Sequence, residues 1–196
     1  MTAGKSPNPK IYQLKVTLKY VKPPIWRRFQ VRSDIRLATL HDILQYVMGW
    51  VGGHLYQFDA EGVDYGDRVA LDDPDVVSVH TARLNNVLRR EGSKCTYLYD
   101  FGDGWEHVVL LEKILAPEPG AKYPVCITGK RNCPPEDCGG VPGYCRLLEA
   151  LADPEDAENA ELLEWMGGEF DPEAFDCDEV NSMLSRTVVL KKPKGG

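Results

Sequence analysis

Alternation of apolar and polar residues opens the ordered part of the chain. Tyr12, Leu14, Val16, Leu18 and Tyr20 interleave with Gln13, Lys15, Thr17 and Lys19, the period-two pattern of a half-buried strand. Lys22-Pro23-Pro24 breaks the run. Ile25, Arg27, Phe29 and Val31 then alternate with Trp26, Arg28 and Gln30, so the two runs predict a hairpin. The period next becomes helical. Thr39 followed by Asp42 resembles an N-terminal cap, and Leu40, Ile43, Leu44, Val47, Met48 and Val51 fall on one face before Gly52-Gly53 ends the helix. His54-Leu55-Tyr56-Gln57-Phe58 predicts the next strand, with a turn at Glu61-Gly62 and a short return through Val63-Asp64-Tyr65. Strand, strand, helix, strand predicts an α+β fold: a β-grasp-like mixed sheet with one packed helix.

Residues 66–93 carry little periodicity and read as a long connection with a helical turn near Thr81–Leu88. A second hairpin is predicted from about Lys94 to Leu115. Asp103-Gly104 suits a two-residue type I′ turn, which pairs Asp100 with His107 and Phe101 with Glu106. Asp100, Trp105 and His107 then share one sheet face, and Tyr97, Tyr99, Phe101 and Val108 the other. A three-residue loop would instead pair Tyr99 with His107. The run Val108-Val109-Leu110-Leu111 suggests burial on both faces.

Pro117-Glu118-Pro119-Gly120 marks a boundary, and a Cys-, Pro- and Gly-rich loop follows. Helices gather beyond it, with apolar faces at Tyr144, Leu147, Leu148 and Leu151, at Leu162, Leu163, Trp165 and Met166, and at Val180, Met183 and Leu184. Thr187–Leu190 is expected to add a last edge strand. In sum the sequence predicts a loose N-terminal arm over 1–10, a single α+β domain over 11–190 with a helical C-terminal portion from about 143, and a frayed tail over 191–196.

An apolar content of 43% and a charged content of 27% are those of a soluble globular protein, and no apolar run reaches the ~20 residues of a membrane span. No membrane partner is expected. No apolar segment follows Met1–Lys5 as a secretory signal would require, so the expected compartment is the cytoplasm. There the six cysteines are free thiols or metal ligands rather than a disulfide framework. The net charge of −7 is unevenly placed: residues 1–36 carry nine Lys/Arg against Asp34, and residues 132–179 carry fifteen acids against Arg146. The basic hairpin, with Arg27 and Arg28, is either a nucleic-acid-binding surface or a solvated sheet face.

The candidate chemistry lies in two stretches. Asp100, Asp103 and His107 in the second hairpin, with Glu136 and Asp137 in the later loop, make a carboxylate/His cluster suited to a divalent metal or to general acid–base work. Trp105 and Tyr144 are the aromatic candidates for the walls of such a site. The alternative is structural: Asp103 as a turn residue, Asp100 orienting His107, and Glu136-Asp137 tying the loop to backbone N–H groups. A zinc site would draw on His107, Cys126, Cys133 and Cys138, although only Cys133-x4-Cys138 approaches the usual chelating spacing. Either cluster requires the Cys133–Gly140 loop to fold over the hairpin.

Tyr99-Asp100-Phe101-Gly102-Asp103-Gly104-Trp105-Glu106-His107 and Cys133-Pro134-Pro135-Glu136-Asp137-Cys138-Gly139-Gly140, followed by Gly143-Tyr144, resemble the Ri-plasmid ORF-like family, also described as resolvase-like passengers of an insertion element. Pro24-Ile25-Trp26-Arg27-Arg28, His54–Phe58 and Phe170-Asp171-Pro172 extend the resemblance over nearly the whole chain. It implies an α+β protein associated with plasmids and mobile elements, and no particular reaction. Recombinase chemistry does not carry over, because Ser6 lies in the expected loose arm, Ser33 sits beside Asp34, and no helix-turn-helix is evident. The expected function is a binding or accessory module with a protein or nucleic-acid partner. The alternatives are a metal-dependent hydrolase and a nucleic-acid-binding protein.

Overall fold

A computed structural model describes residues 9–165, 167 and 170–190. The two alternating runs form β1 (Ile11–Leu18) and β2 (Trp26–Arg32), paired antiparallel with Leu14 opposite Phe29 and Val16 opposite Arg27. Leu14, Val16, Leu18, Phe29 and Val31 face the core as the alternation predicts, whereas Tyr20 lies beyond β1 and is 68% exposed, and Arg27, expected on a solvated or nucleic-acid-binding surface, is buried on the same side as Phe29. Helix α1 (Leu37–Met48) buries Leu40, Ile43, Leu44 and Val47 against the sheet. It ends earlier than expected: Gly49 takes the left-handed conformation (φ 101°) and donates its N–H to Gln45 O. Val51 therefore leaves the helix face and is 88% exposed.

Strands β3 (Tyr56–Ala60) and β4 (Val63–Gly66) form the strand and short return expected around the Glu61-Gly62 turn. The long connection holds more order than its weak periodicity suggests, namely β5 (Val77–Ser78), parallel to β4, and the single-turn α2 (Leu84–Val87). Then come β6 (Lys94–Tyr99), β7 (Trp105–Leu115) and β8 (Val125–Lys130). Together they make one mixed eight-stranded sheet in the order β5-β4-β3-β6-β7-β1-β2-β8. Within β7, Val109 and Leu111 are buried while Val108 and Leu110 are half-buried, so the apolar run alternates after all.

The helical C-terminal region follows as α3 (Gly140–Ala152), α4 (Ala157–Trp165) and α5 (Cys177–Leu190). Tyr144, Leu147, Val180 and Leu184 join the core, and α5 packs on β8 and α1. Asn181 covers the open edge of β8, accepting from Cys126 N at 2.7 Å and donating to Cys126 O at 2.9 Å. The expected edge strand at Thr187–Leu190 is instead the last turn of α5. Propagating a formed helix needs one hydrogen bond per residue, whereas a new edge strand must find a partner, so helix continuity outweighs local β propensity. The expected loose arm, apart from its last residues, and the expected tail lie outside the described residues, as does Met166.

Candidate functional site

The β6–β7 hairpin differs from its expected register. Tyr99 faces Trp105 and Tyr97 faces His107, leaving a five-residue connection, Asp100–Gly104. Asp100 is the cause. Its backbone is left-handed (φ 56°), and its Oδ1 accepts from Gly102 N at 2.8 Å and Asp103 N at 3.3 Å. This side-chain closure of the turn replaces the type I′ turn. The register therefore shifts by an odd number of residues, and Tyr97, Tyr99, Trp105 and His107 all point into the core. Asp100 lies in the turn rather than on the strand.

Three connections meet at this tip. Asp100 N donates to Leu55 O at 2.9 Å, fixing the α1–β3 loop beside the hairpin. The Cys133–Gly139 loop closes over both. Trp50 Nε1 donates to Pro134 O at 2.9 Å, Val51 N donates to Glu136 Oε2 at 3.3 Å, and Tyr99 Oη donates to Glu136 Oε1 at 2.5 Å. Gly139 N donates to Asp103 Oδ2 at 3.2 Å, at the start of α3 where a carboxylate meets the positive end of the helix dipole. Gly140 (φ 67°) makes the approach feasible, since a Cβ there would stand 2.3 Å from Asp103 O.

His54 lies at the junction. Its Nδ1 is 3.5 Å from Asp100 Oδ2 and its Nε2 is 3.3 Å from Asp137 Oδ1. One ligand atom from each of His54, Asp100 and Asp137 falls within 4.8 Å of the other two, a cluster that can coordinate a metal ion. Asp137, like Asp100, sits on left-handed backbone, at φ 57°. Asp tolerates that conformation better than most residues, so both turns present a carboxylate at modest cost. One imidazole with two carboxylates suits Zn2+ or Mn2+ better than Mg2+ or Ca2+, which prefer oxygen ligands.

The zinc set expected from His107 and the thiols does not assemble. No three of His107, Cys126, Cys133 and Cys138 bring ligand atoms within 4.8 Å of one another among the described residues. His107 is fully buried under Trp50, whose ring lies edge-on at 5.3 Å, and its Nδ1–H donates to Tyr97 O at 3.3 Å. Burial lowers its pKa to about 4, so the ring is neutral at pH 7. Burial likewise pushes the Cys126 thiol up to about 12 and Cys138 to about 11, and raises Cys133 further, so all three stay protonated. A metal-bound thiolate needs the opposite shift.

The other candidates scatter. Trp105 is buried, 6.0 Å from Trp50 between ring centroids. Tyr144 is a core residue packed edge-on against Phe170, and burial raises its phenol to about 12. Arg27 is interior, only 2% exposed, and Arg28 is held by Glu112 through two hydrogen bonds of 2.6 and 2.9 Å. Glu136 and Asp103 reach the meeting point, although their carboxylates already accept from Tyr99, Val51 and Gly139. Sequence reasoning missed His54, which looked like an ordinary strand-edge histidine. The available signal was a lone imidazole after Gly52-Gly53, in a run that already carried part of the family resemblance.

Fold and site define an α+β protein with one mixed sheet and a His/Asp cluster where three loops meet above its aromatic core. The chain belongs to the family described as plasmid pRiA4b ORF-3-like protein, whose model matches residues 10–179. It is 41% identical over 178 residues to the uncharacterized protein y4hQ of Sinorhizobium fredii, covering 89% of this chain and 90% of that protein. It is also similar to the crystal structure of the protein of unknown function MM3350 from Methanosarcina mazei Go1. That match has 39% identity and a TM-score of 0.79, and covers 87% of this chain and 97% of the other. Among the described residues, no helix is long and apolar enough to cross a membrane.

Proposed function

We propose that this protein is a binding module whose site is a divalent cation held by His54, Asp100 and Asp137. One observation carries the proposal: loops far apart in sequence converge to bring three ligand atoms within 4.8 Å. An exposed apolar rim surrounds the cluster in sequence, with Val51 88%, Leu55 43% and Phe101 46% exposed, and it offers contact area to a protein partner. Binding is favoured over metal-dependent hydrolysis because Glu136, a member of the expected carboxylate/His cluster, already accepts hydrogen bonds at its two oxygens from Tyr99 and Val51. It is favoured over nucleic-acid binding because Arg27 is buried and Lys19, Arg28 and Arg32 are paired with Glu106, Glu112 and Asp34.

The setting is a single cytoplasmic domain over 11–190. Its β-grasp character rests on the β1–β2–α1–β3 order and on α1 packing against the sheet, and the antiparallel pairing of β1 with β7 makes it a variant of that plan. Calorimetric titration with Zn2+ and Mn2+ tests the cation site. Wild type should bind one equivalent of at least one of them, and His54→Ala and Asp137→Asn should each weaken binding by at least roughly 10-fold. Absence of binding by wild type, or unchanged affinity in both variants, rejects the proposal.

A further inference from the structure

A second site lies on the other side of the Trp50–Val51 segment. A cavity of about 750 Å3 opens between the C-terminal end of α1 and the N-terminal end of α5. That volume is in the range of small-molecule sites. Its walls include Val47, Trp50, Phe175 and Val180, and Arg27 lines its buried end. The guanidinium stacks on the Phe175 ring at 4.3 Å. Gly129 leaves the room for this, since a Cβ there would stand 2.7 Å from both Arg27 Cδ and Phe175 Cζ.

Arg27 is a buried cation with an incomplete shell. Its Nε donates to Val47 O at 2.8 Å, and Nη1 donates to Trp26 O at 3.0 Å and Lys130 O at 2.9 Å. Those bonds use three of the five guanidinium N–H groups. The two on Nη2 have no acceptor among the described residues, and none of the ion pairs among those residues includes Arg27. Val47 O lies in the last turn of α1, whose dipole offsets part of the charge. An interior cation ordinarily takes a full counter-charge as well.

We propose that this cavity binds a small monocarboxylate with an apolar body, its carboxylate accepting the two N–H groups of Arg27 Nη2. The walls select the body. Exposed Asp176 and Glu179 also line the cavity and repel polyanions, which disfavours polyphosphates and nucleotides relative to a single carboxylate. The site is independent of the cation cluster, so it is tested with chelator present.

The probes are benzoate and hexanoate, with inorganic phosphate and pyrophosphate for comparison, followed by amide NMR shifts in the full chain. Wild type should show saturable shifts at Val47, Gly129 and Phe175 with a carboxylate at millimolar concentration or below. Arg27→Lys keeps the charge but loses the fork, and it should weaken binding at least about tenfold. If that variant fails to fold, Ala174→Trp decides the matter: it adds an indole at the exposed lining of the cavity, leaves Arg27 unsubstituted and should abolish the shifts. The proposal is overturned by no saturable shift with either carboxylate, by phosphate or pyrophosphate binding as tightly, or by undiminished binding in Ala174→Trp.

Discussion

Gly140→Ala should destabilise the protein by about 2–4 kcal/mol and loosen the cation site with it. Two effects add. Left-handed backbone at φ 67° costs a side-chain-bearing residue about 1–2 kcal/mol relative to glycine. The new methyl would also stand 2.3 Å from Asp103 O, a backbone atom that cannot swing aside. Either the Cys133–Gly139 loop lifts or the hairpin tip retreats. Both movements lengthen the Gly139–Asp103 and His54–Asp137 contacts, which span the same junction. Gly92 supplies the control, since it has φ 85° with nothing within 4 Å of a built Cβ, so Gly92→Ala reports backbone strain alone. Urea unfolding of the two variants should place Gly140→Ala well below Gly92→Ala. Equal stabilities would mean that the loop does not press on the tip.

Acid should unfold the protein through His107 before most carboxylates titrate. Its folded pKa of about 4 lies below the unfolded value of about 6.5, so the unfolded chain binds the extra proton first. Stability is therefore full above pH 6.5 and falls as pH drops from 6.5 to 4. At 1.36 kcal/mol per pH unit the loss is about 3 kcal/mol. Its Nε2 is buried with no hydrogen-bond partner among the described residues, and the rings of Trp50 and Tyr97 pack against the imidazole, so a second proton would place a charge in aromatic surroundings. Unfolding free energies measured across this window should slope downward in wild type and flatten in His107→Gln. A wild-type curve already flat between pH 6.5 and 4.5, or an equal slope in the variant, would contradict the assignment.

Local patterning carried much of the fold. The alternation in β1 and β2 puts Arg27 on one side with Ile25, Phe29 and Val31, but its charge leads to the expectation of a solvated or nucleic-acid-binding role, which its burial corrects. The apolar stripe of α1 was plain, because burying one face of a helix leaves a mark within a dozen residues. What failed was decided by competition or distance. The hairpin register turned on Asp100 bonding its own turn, which outweighed the Asp103-Gly104 preference. The end of α1 turned on which of Gly49, Gly52 and Gly53 would cap it, and composition does not distinguish them. β5 depends on a parallel partner in β4 and leaves almost no local signal over two residues.

The site was half legible. Its premise, that the Cys133–Gly140 loop must close on the hairpin tip, is met by contacts between residues 36 or more positions apart, such as Gly139–Asp103, Tyr99–Glu136 and His54–Asp137. The histidine at the junction was not the conspicuous His107 inside the motif. His107 faces inward because the register shift put it there, whereas His54 faces the acids because Leu55 O holds Asp100 N.

His54, Asp100 and Asp137 are proposed to form one cation site. Crystals grown with Zn2+ or Mn2+ and measured at the absorption edge of each metal test it most directly. One anomalous peak is expected, bonded to an imidazole nitrogen of His54 and to carboxylate oxygens of Asp100 and Asp137 at about 2.0–2.2 Å. A peak elsewhere, or none at this junction in crystals saturated with both metals, would contradict it.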